Sequence, residues 1–140
     1  MCERGITHFV LIQISDDSLN LKFICKRLIE LFKTLRNCDR FSVVLFGENV
    51  FFKLKPRPVS ELKRNNEIPN LFNNITCIKQ KTMDVQKAIN YVIKGIRNKE
   101  NGENCISVYT NKRGIVSKME ELEKSIETYQ NMWINIMLVK

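Results

Sequence analysis

Ser15, Asp16, Asp17 and Ser18 close a short apolar run, His8 to Ile14, and a helical pattern begins directly after them. Hydroxyls and carboxylates at one point suit a hard cation, which takes oxygen ligands. The same residue types cap helices, because a short side-chain oxygen accepts from the exposed N–H groups of the first turn. Both readings stand at this point. Two further polar segments belong with the first. Lys79-Gln80-Lys81-Thr82 precedes an amphipathic stretch opened by Asp84, and Thr110-Asn111-Lys112-Arg113 follows the apolar run Cys105 to Tyr109. Catalytic sets are not evident. The single histidine, His8, opens a strand-like run rather than a loop, and neither a P-loop nor a dinucleotide glycine pattern occurs. The chain reads as a non-enzyme.

Strands must carry these segments to one place if they act together. His8 to Ile14 is nearly all apolar and β-prone, the pattern of a central strand buried on both faces. Leu21, Ile24, Cys25, Leu28, Leu31, Phe32 and Leu35 then recur at helical spacing, with Lys22, Lys26, Arg27 and Lys33 between them. Asp39-Arg40 punctuates. Phe41 to Phe46 and Val50 to Leu54 read as strands joined by Gly47-Glu48-Asn49, hence antiparallel, with Pro56 and Pro58 expected to end the run. Val59 to Ile75 reads as a weak helix, asparagine-rich and interrupted at Pro69.

Asp84 suits the cap of a helix carrying Val85, Ala88, Ile89, Val92, Ile93 and Ile96 on one stripe. Cys105 to Thr110 and Trp133 to Val139 are two more strands. Between them, Ser117-x-x-Glu120 is a capping box, and Met119, Leu122, Ile126 and Tyr129 follow at helical spacing. This alternation predicts an α/β fold: an open, mostly parallel sheet with one antiparallel edge strand from the hairpin and helices on both faces. Ligands of such sheets bind outside the carboxyl ends of the strands. Ser15 to Asp17, Thr82 and Thr110-Asn111 all fall near that rim.

Composition sets outer bounds. The 140 residues, 44% of them hydrophobic, suffice for one domain with a packed core. No apolar run approaches the ~20 residues of a membrane span, and no targeting peptide is expected. The five cysteines are odd in number, scattered, and without a C-x-x-C pair. That predicts no zinc site and no disulfide framework, with reduced thiols in a cytoplasmic or nuclear protein and Cys25 and Cys105 simply packed. A net charge of +8 favours an acidic partner, whether protein, nucleic acid or anionic lipid. A solvated basic surface is the alternative, since the basic residues are spread along the chain.

On the ordered set of these segments, the chain resembles a von Willebrand factor A (vWA) domain. The strand ending Gln13-Ile14-Ser15-Asp16-Asp17 stands where the family has Asp-x-Ser-x-Ser. "LFKTLRNCDRFSVVLFGENVFFKLKP" is similar to the stretch leading into the family's hairpin, and "KTMDVQKAINYVIKGI" to its Gly-Gly-Thr loop and following helix. "CISVYTNKRG" resembles the strand ending in Thr-Asp-Gly, and "WINIMLV" the next core strand.

The resemblance implies a rim that, in the family, holds a divalent cation, usually magnesium. Its ligands are the first Asp, two Ser, a loop Thr and a later Asp, and the partner protein completes the shell with a carboxylate. Here Gln13 replaces the first Asp, Asp17 the second Ser and Asn111 the later Asp, while Lys79, Gln80 and Lys81 replace the loop glycines. Any residual metal site would rest on Ser15, Asp17 and Thr82. Magnesium wants anionic oxygen, and two carboxylates have become neutral amides. A lysine ~4 Å away would oppose the ion by about 4 kcal/mol at an effective dielectric of ~20.

The resemblance therefore implies a rim without metal or other cofactor. In it, Lys79, Lys81, Lys112 and Arg113 neutralise Asp16 and Asp17 or meet a partner carboxylate. The expected function is a non-enzymatic protein–protein interaction module gripping its partner through Ser15, Asp16, Asp17, Lys79, Lys81, Thr82, Asn111, Lys112 and Arg113. Family members usually continue with another helix, a sixth strand and a closing helix. The last strand here is thus expected to leave an edge open to pairing with another chain.

Two alternatives are carried. The first is a nucleic-acid-associated vWA-type subunit of a repair or transcription assembly, suggested by the +8 charge. The second is a phospho-accepting, receiver-like signalling domain, suggested by Asp16-Asp17 and Thr110. A receiver needs an aspartate at the end of its third strand. Lys53-Leu54-Lys55-Pro56 occupies that region, and the hairpin breaks the right-handed βαβ alternation.

Overall fold

A computed structural model describes residues 5–15, 21–77, 85–96, 103–110 and 132–138. The described elements, in chain order, are β1 (Ile6–Gln13), α1 (Leu21–Thr34), β2 (Arg40–Phe46), β3 (Val50–Pro58), α2 (Val59–Arg64), α3 (Glu67–Asn73), α4 (Val85–Ile96), β4 (Glu103–Thr110) and β5 (Met132–Leu138). The five strands form one sheet in the order β3-β2-β1-β4-β5. The β2–β3 pair is antiparallel; β1 pairs in parallel with β2 and β4, and β4 with β5.

The run from Phe9 to Ile14 is apolar on both faces because β1 is the central strand. Val10, Ile12 and Ile14 meet one core layer, with Phe41, Val43 and Leu45 of β2 beneath Ile24, Leu28 and Phe32 of α1. Leu62, Ile68 and Phe72 of α2 and α3 complete that layer. Phe9 and Leu11 meet the opposite layer, with Ile106 and Val108 of β4 beneath Ala88, Ile89 and Val92 of α4. Residues two apart share a face in a strand, so one run that is apolar but for Gln13 feeds two cores.

Three local expectations are corrected. β3 does not end at Leu54 but runs through Pro56 to Pro58, pairing Arg57 with Phe41 and Pro58 with Arg40. It is an edge strand, and proline lacks only a donor that an edge can direct outward. The weak helix from Val59 to Ile75 is two helices, but Pro69 does not break it. The break lies at Asn65-Asn66, where Asn66 adopts φ 50° and ψ 42°. Asparagine enters this left-handed region more readily than most residues. Pro69 is the third residue of α3, where an N–H has no intrahelical acceptor to lose. Finally, Cys38 is disulfide-bonded, against the expectation of reduced thiols throughout. Spacing along the chain gave no sign of it, because a disulfide depends on which thiols the fold brings together. Cys25, Cys77 and Cys105 form no disulfide.

Gly5 enters β1 against this same corner. A Cβ placed on Gly5 would lie 1.8 Å from the Cys38 carbonyl oxygen, a contact of backbone with backbone that no rotamer relieves. Gly5→Ala is accordingly expected to destabilise the chain by about 1–3 kcal/mol through overpacking, read as a lowered urea midpoint at unchanged slope.

No described helix is long and apolar enough to cross a membrane. β5 is the last described strand of the sheet. The expected cap at Asp84 and the helix expected after Ser117 lie outside the described residues.

Candidate functional site at the strand tips

β1 and β4 run in parallel with Ile12 opposite Tyr109, so Gln13 and Thr110 end the two strands side by side. Alternation along each strand turns both toward the face that α4 covers, since Leu11 and Val108 pack there. The Thr110 hydroxyl donates to Gln13 Oε1 at 2.6 Å. Both side chains are wholly buried. The bond joins residues 97 positions apart in the chain. One residue further, Ile14 N–H donates to the Phe46 carbonyl at 2.9 Å and carries the β1–β2 ladder past the end of the strand. Ser15 is thereby held at the rim, 4% exposed.

The described part of the rim is therefore an amide and two hydroxyls, all neutral. Buried polar groups must be bonded to be tolerated, and the Gln13–Thr110 hydrogen bond meets part of that need with two neutral side chains. A buried glutamine carbonyl already accepting a short hydrogen bond is a poor ligand for magnesium, which demands anionic oxygen in near-octahedral geometry. The described donors do not fit that ion.

Of the nine site residues expected from sequence, Ser15 is described and lies two residues past the end of β1. Asp16, Asp17, Lys79, Lys81, Thr82, Asn111, Lys112 and Arg113 lie outside the described residues. Sequence reading placed Gln13 at the family's first ligand position but missed its partner. The signal was there: Thr110 ends the strand next to β1, and a buried hydroxyl opposite a buried amide must find an acceptor.

The opposite end of the sheet holds a second polar cluster, which sequence reading missed altogether. Asp39 is 3% exposed, although read from sequence as punctuation between elements. Its Oδ1 accepts from Ile6 N–H at 2.9 Å and from Arg36 Nη2 at 3.1 Å, and Oδ2 accepts from Arg36 N–H at 3.2 Å. Its carbonyl accepts from Val59 N–H at 2.9 Å. His8 Nε2 stands 3.5 Å from Oδ2, buried and without a hydrogen-bond partner. Burial works against the Asp39 charge, but the Ile6 and Arg36 hydrogen bonds and the Arg36 charge prevail and hold its carboxyl below the ordinary value. Burial also lowers the His8 imidazole, outweighing the opposing pull of Asp39, with the Arg36 charge adding to the lowering. This cluster fastens the start of β1 to the α1–β2 and β3–α2 connections. The buried Cys25 thiol is pushed up to about 11 by desolvation and by neighbouring Cys77, so it packs as an apolar group.

No protein-family model matches this sequence, and no curated protein does. Solved structures do match. The conserved hypothetical protein BatB from Bacteroides thetaiotaomicron superposes with a TM-score of 0.73 at 17% identity, over 96% of this chain and 66% of that one. An aerotolerance-related membrane protein from Bacteroides fragilis gives 0.68 at 15% identity, over 96% and 68%. A von Willebrand factor type A structure from Catenulispora acidiphila gives 0.74 at 10% identity, over 95% of this chain and 33% of that one. At these identities the likeness is one of fold: an open, mostly parallel vWA-like sheet with one antiparallel pair. The chain spans about two thirds of the length of the first two proteins and a third of the last.

Proposed function

We propose that the chain is a non-enzymatic protein-interaction module whose partner is gripped at the strand-tip rim without a bound metal. The observation that carries this is the buried Gln13–Thr110 hydrogen bond. It sits where the vWA arrangement has an ion-binding carboxylate, and it satisfies that spot with two neutral groups. Ser15, Asp16, Asp17, Thr82 and Asn111 line the rim in this reading. Lys79, Lys81, Lys112 and Arg113 supply the fixed positive charge that a cation would otherwise bring to a partner carboxylate. Proteins with this fold commonly serve as interaction modules, and the +8 charge supports an acidic partner.

Thermal melting tests the metal half of the reading. A ligand that binds the native state must stabilise it, by about 2.7 kcal/mol at a hundredfold excess over Kd. The expected result is an unchanged Tm in millimolar magnesium or manganese relative to chelator. A rise of several degrees would overturn it. Affinity capture with the wild type and a Lys79→Glu, Lys81→Glu, Lys112→Glu variant tests the other half. Protein partners of the wild type are expected to be lost from the variant, and an unchanged set would remove the rim as the contact surface. Steeply salt-dependent binding to generic DNA would move the reading to a nucleic-acid partner.

A further inference from the structure

On the sheet face carrying α1, the described helices cover only one half. The Ile29, Phe32 and Lys33 side of α1 leans on Leu62, Ile68 and Pro69 of α2 and α3, over β2 and β3. Its other side presents Phe23, Arg27 and Leu31, four residues apart and so on one stripe. Phe23 is 51% and Leu31 42% exposed. Arg27 lies over the Phe23 ring at 5.6 Å, and its charge reaches the Tyr109 phenol of β4, so the stripe borders the β4–β5 half of the sheet.

That half is open. Ile106, Val108 and Ile134 point to the α4 side, so Cys105, Ser107, Trp133 and Asn135 point to the α1 side. Trp133 is 49% exposed, and Asn135 Nδ2 reaches Cys105 Sγ at 3.9 Å across the floor. The result is a trough with a β4–β5 floor, a wall of Phe23, Arg27 and Leu31, and no described element seated in it.

We propose that this trough docks an amphipathic helix of an acidic protein partner. The seven residues of β5 extend about 23 Å, the length of roughly 15 helical residues. Phe23, Leu31 and Trp133 supply separated apolar anchors of the kind that receive side chains at i, i+3, i+4 and i+7. Arg27, midway along the wall, selects a carboxylate at the helix flank. Charge also chooses between occupants: a second copy would bring another Arg27 and another +8 against the first, whereas an acidic helix is drawn in. The proposal is independent of the rim, since none of its residues lies there.

Trp133 is the only tryptophan of the chain and reports directly on the trough. The probe is a synthetic helical peptide of about 16 residues, matched to the trough length, with leucines on one face, glutamates flanking them and no aromatic residue. A second peptide carries lysines in place of the glutamates. The glutamate peptide is expected to give a saturable blue shift of Trp133 emission. Arg27→Glu is expected to weaken that peptide at least tenfold and to admit the lysine peptide instead. Absence of a saturable shift, equal response to both peptides, or indifference to Arg27→Glu would overturn the proposal. So would a blue shift that grows with protein concentration alone, which would make the occupant a second copy. Trp133 already shielded from iodide in the free chain would overturn it too, by placing a segment of the chain itself in the trough.

Discussion

Asp39→Ala is expected to lower the unfolding free energy by about 3–5 kcal/mol, the cost of breaking a buried, charge-assisted set from one side. The substitution removes the acceptor of Ile6 N–H, Arg36 N–H and the Arg36 guanidinium together. Ile6 begins the central strand, and its N–H would be left without its acceptor. Asp39→Asn keeps the shape and one acceptor oxygen, so a loss of about half that size is expected. The signs with pH follow from the directions of the two shifts. Asp39 has a depressed folded value, so its contribution is complete above the unfolded value of about 3.9 and is lost as pH falls through the lower folded one. His8 is also depressed, which for a base means that the folded state resists the proton. Stability therefore declines as pH falls below the unfolded imidazole value of about 6.5, until the folded value is passed. Urea unfolding at pH 7, 5, 3.5 and 2 should show one loss below about pH 6.5 from His8 and a second below about pH 3.9 from Asp39. Asp39→Ala should abolish the second. A cost below about 1 kcal/mol at pH 7 would mean that water replaces the carboxylate at the Ile6 N–H.

Asp39 also marks the boundary of what sequence reading reaches. The strands were legible because burial on two faces requires a nearly unbroken apolar run, as in His8 to Ile14, and a three-residue connection permits only an antiparallel hairpin. Helical stripes were legible for the same reason: Ile24, Leu28 and Phe32 recur at the period that one covered face imposes. What escaped depends on neighbours in space. Pro56 and Pro58 look like strand breakers until β3 is seen to be an edge. Asn66 is one asparagine among several until its φ of 50° identifies it as the hinge between α2 and α3. Asp39 has the composition of a turn, and only the approach of Ile6, 33 residues away, makes it a buried acceptor. The rim follows the same division. Gln13 was found by its place in an ordered set of segments and Thr110 by its place at the end of a later strand, but their pairing across 97 residues follows only from the register of β1 on β4.

Gln13→Asp puts the rim to the hardest use. The carboxylate is one methylene shorter than the amide it replaces, and the site is wholly buried, with a hydroxyl from Thr110 facing it. A charge is thus added where the described neighbours offer no countercharge, and the Thr110 donor is left short of its acceptor. The expected cost in chelator at pH 7 is about 2–4 kcal/mol. Desolvation raises the folded value of the new carboxyl above its unfolded value of about 3.9. The folded state then prefers the protonated form, so relative stability is best at acid pH and is lost as pH rises through the raised value. Melting of the variant against the wild type from pH 4 to pH 7 should show a gap that widens upward. Gln13→Glu, which keeps the reach to Thr110, should show a smaller gap of the same sign, because a charge-assisted hydrogen bond offsets part of the desolvation. Magnesium discriminates the origin of the loss. With a neutral Asn111 and the basic Lys79, Lys81, Lys112 and Arg113 in the segments proposed to flank the rim, one restored carboxylate is not expected to recruit the ion, and the melting gap should persist in magnesium. If magnesium closes it, the rim has kept an ion-shaped oxygen shell around a single altered side chain, and the case for fixed positive charge in the ion's place fails.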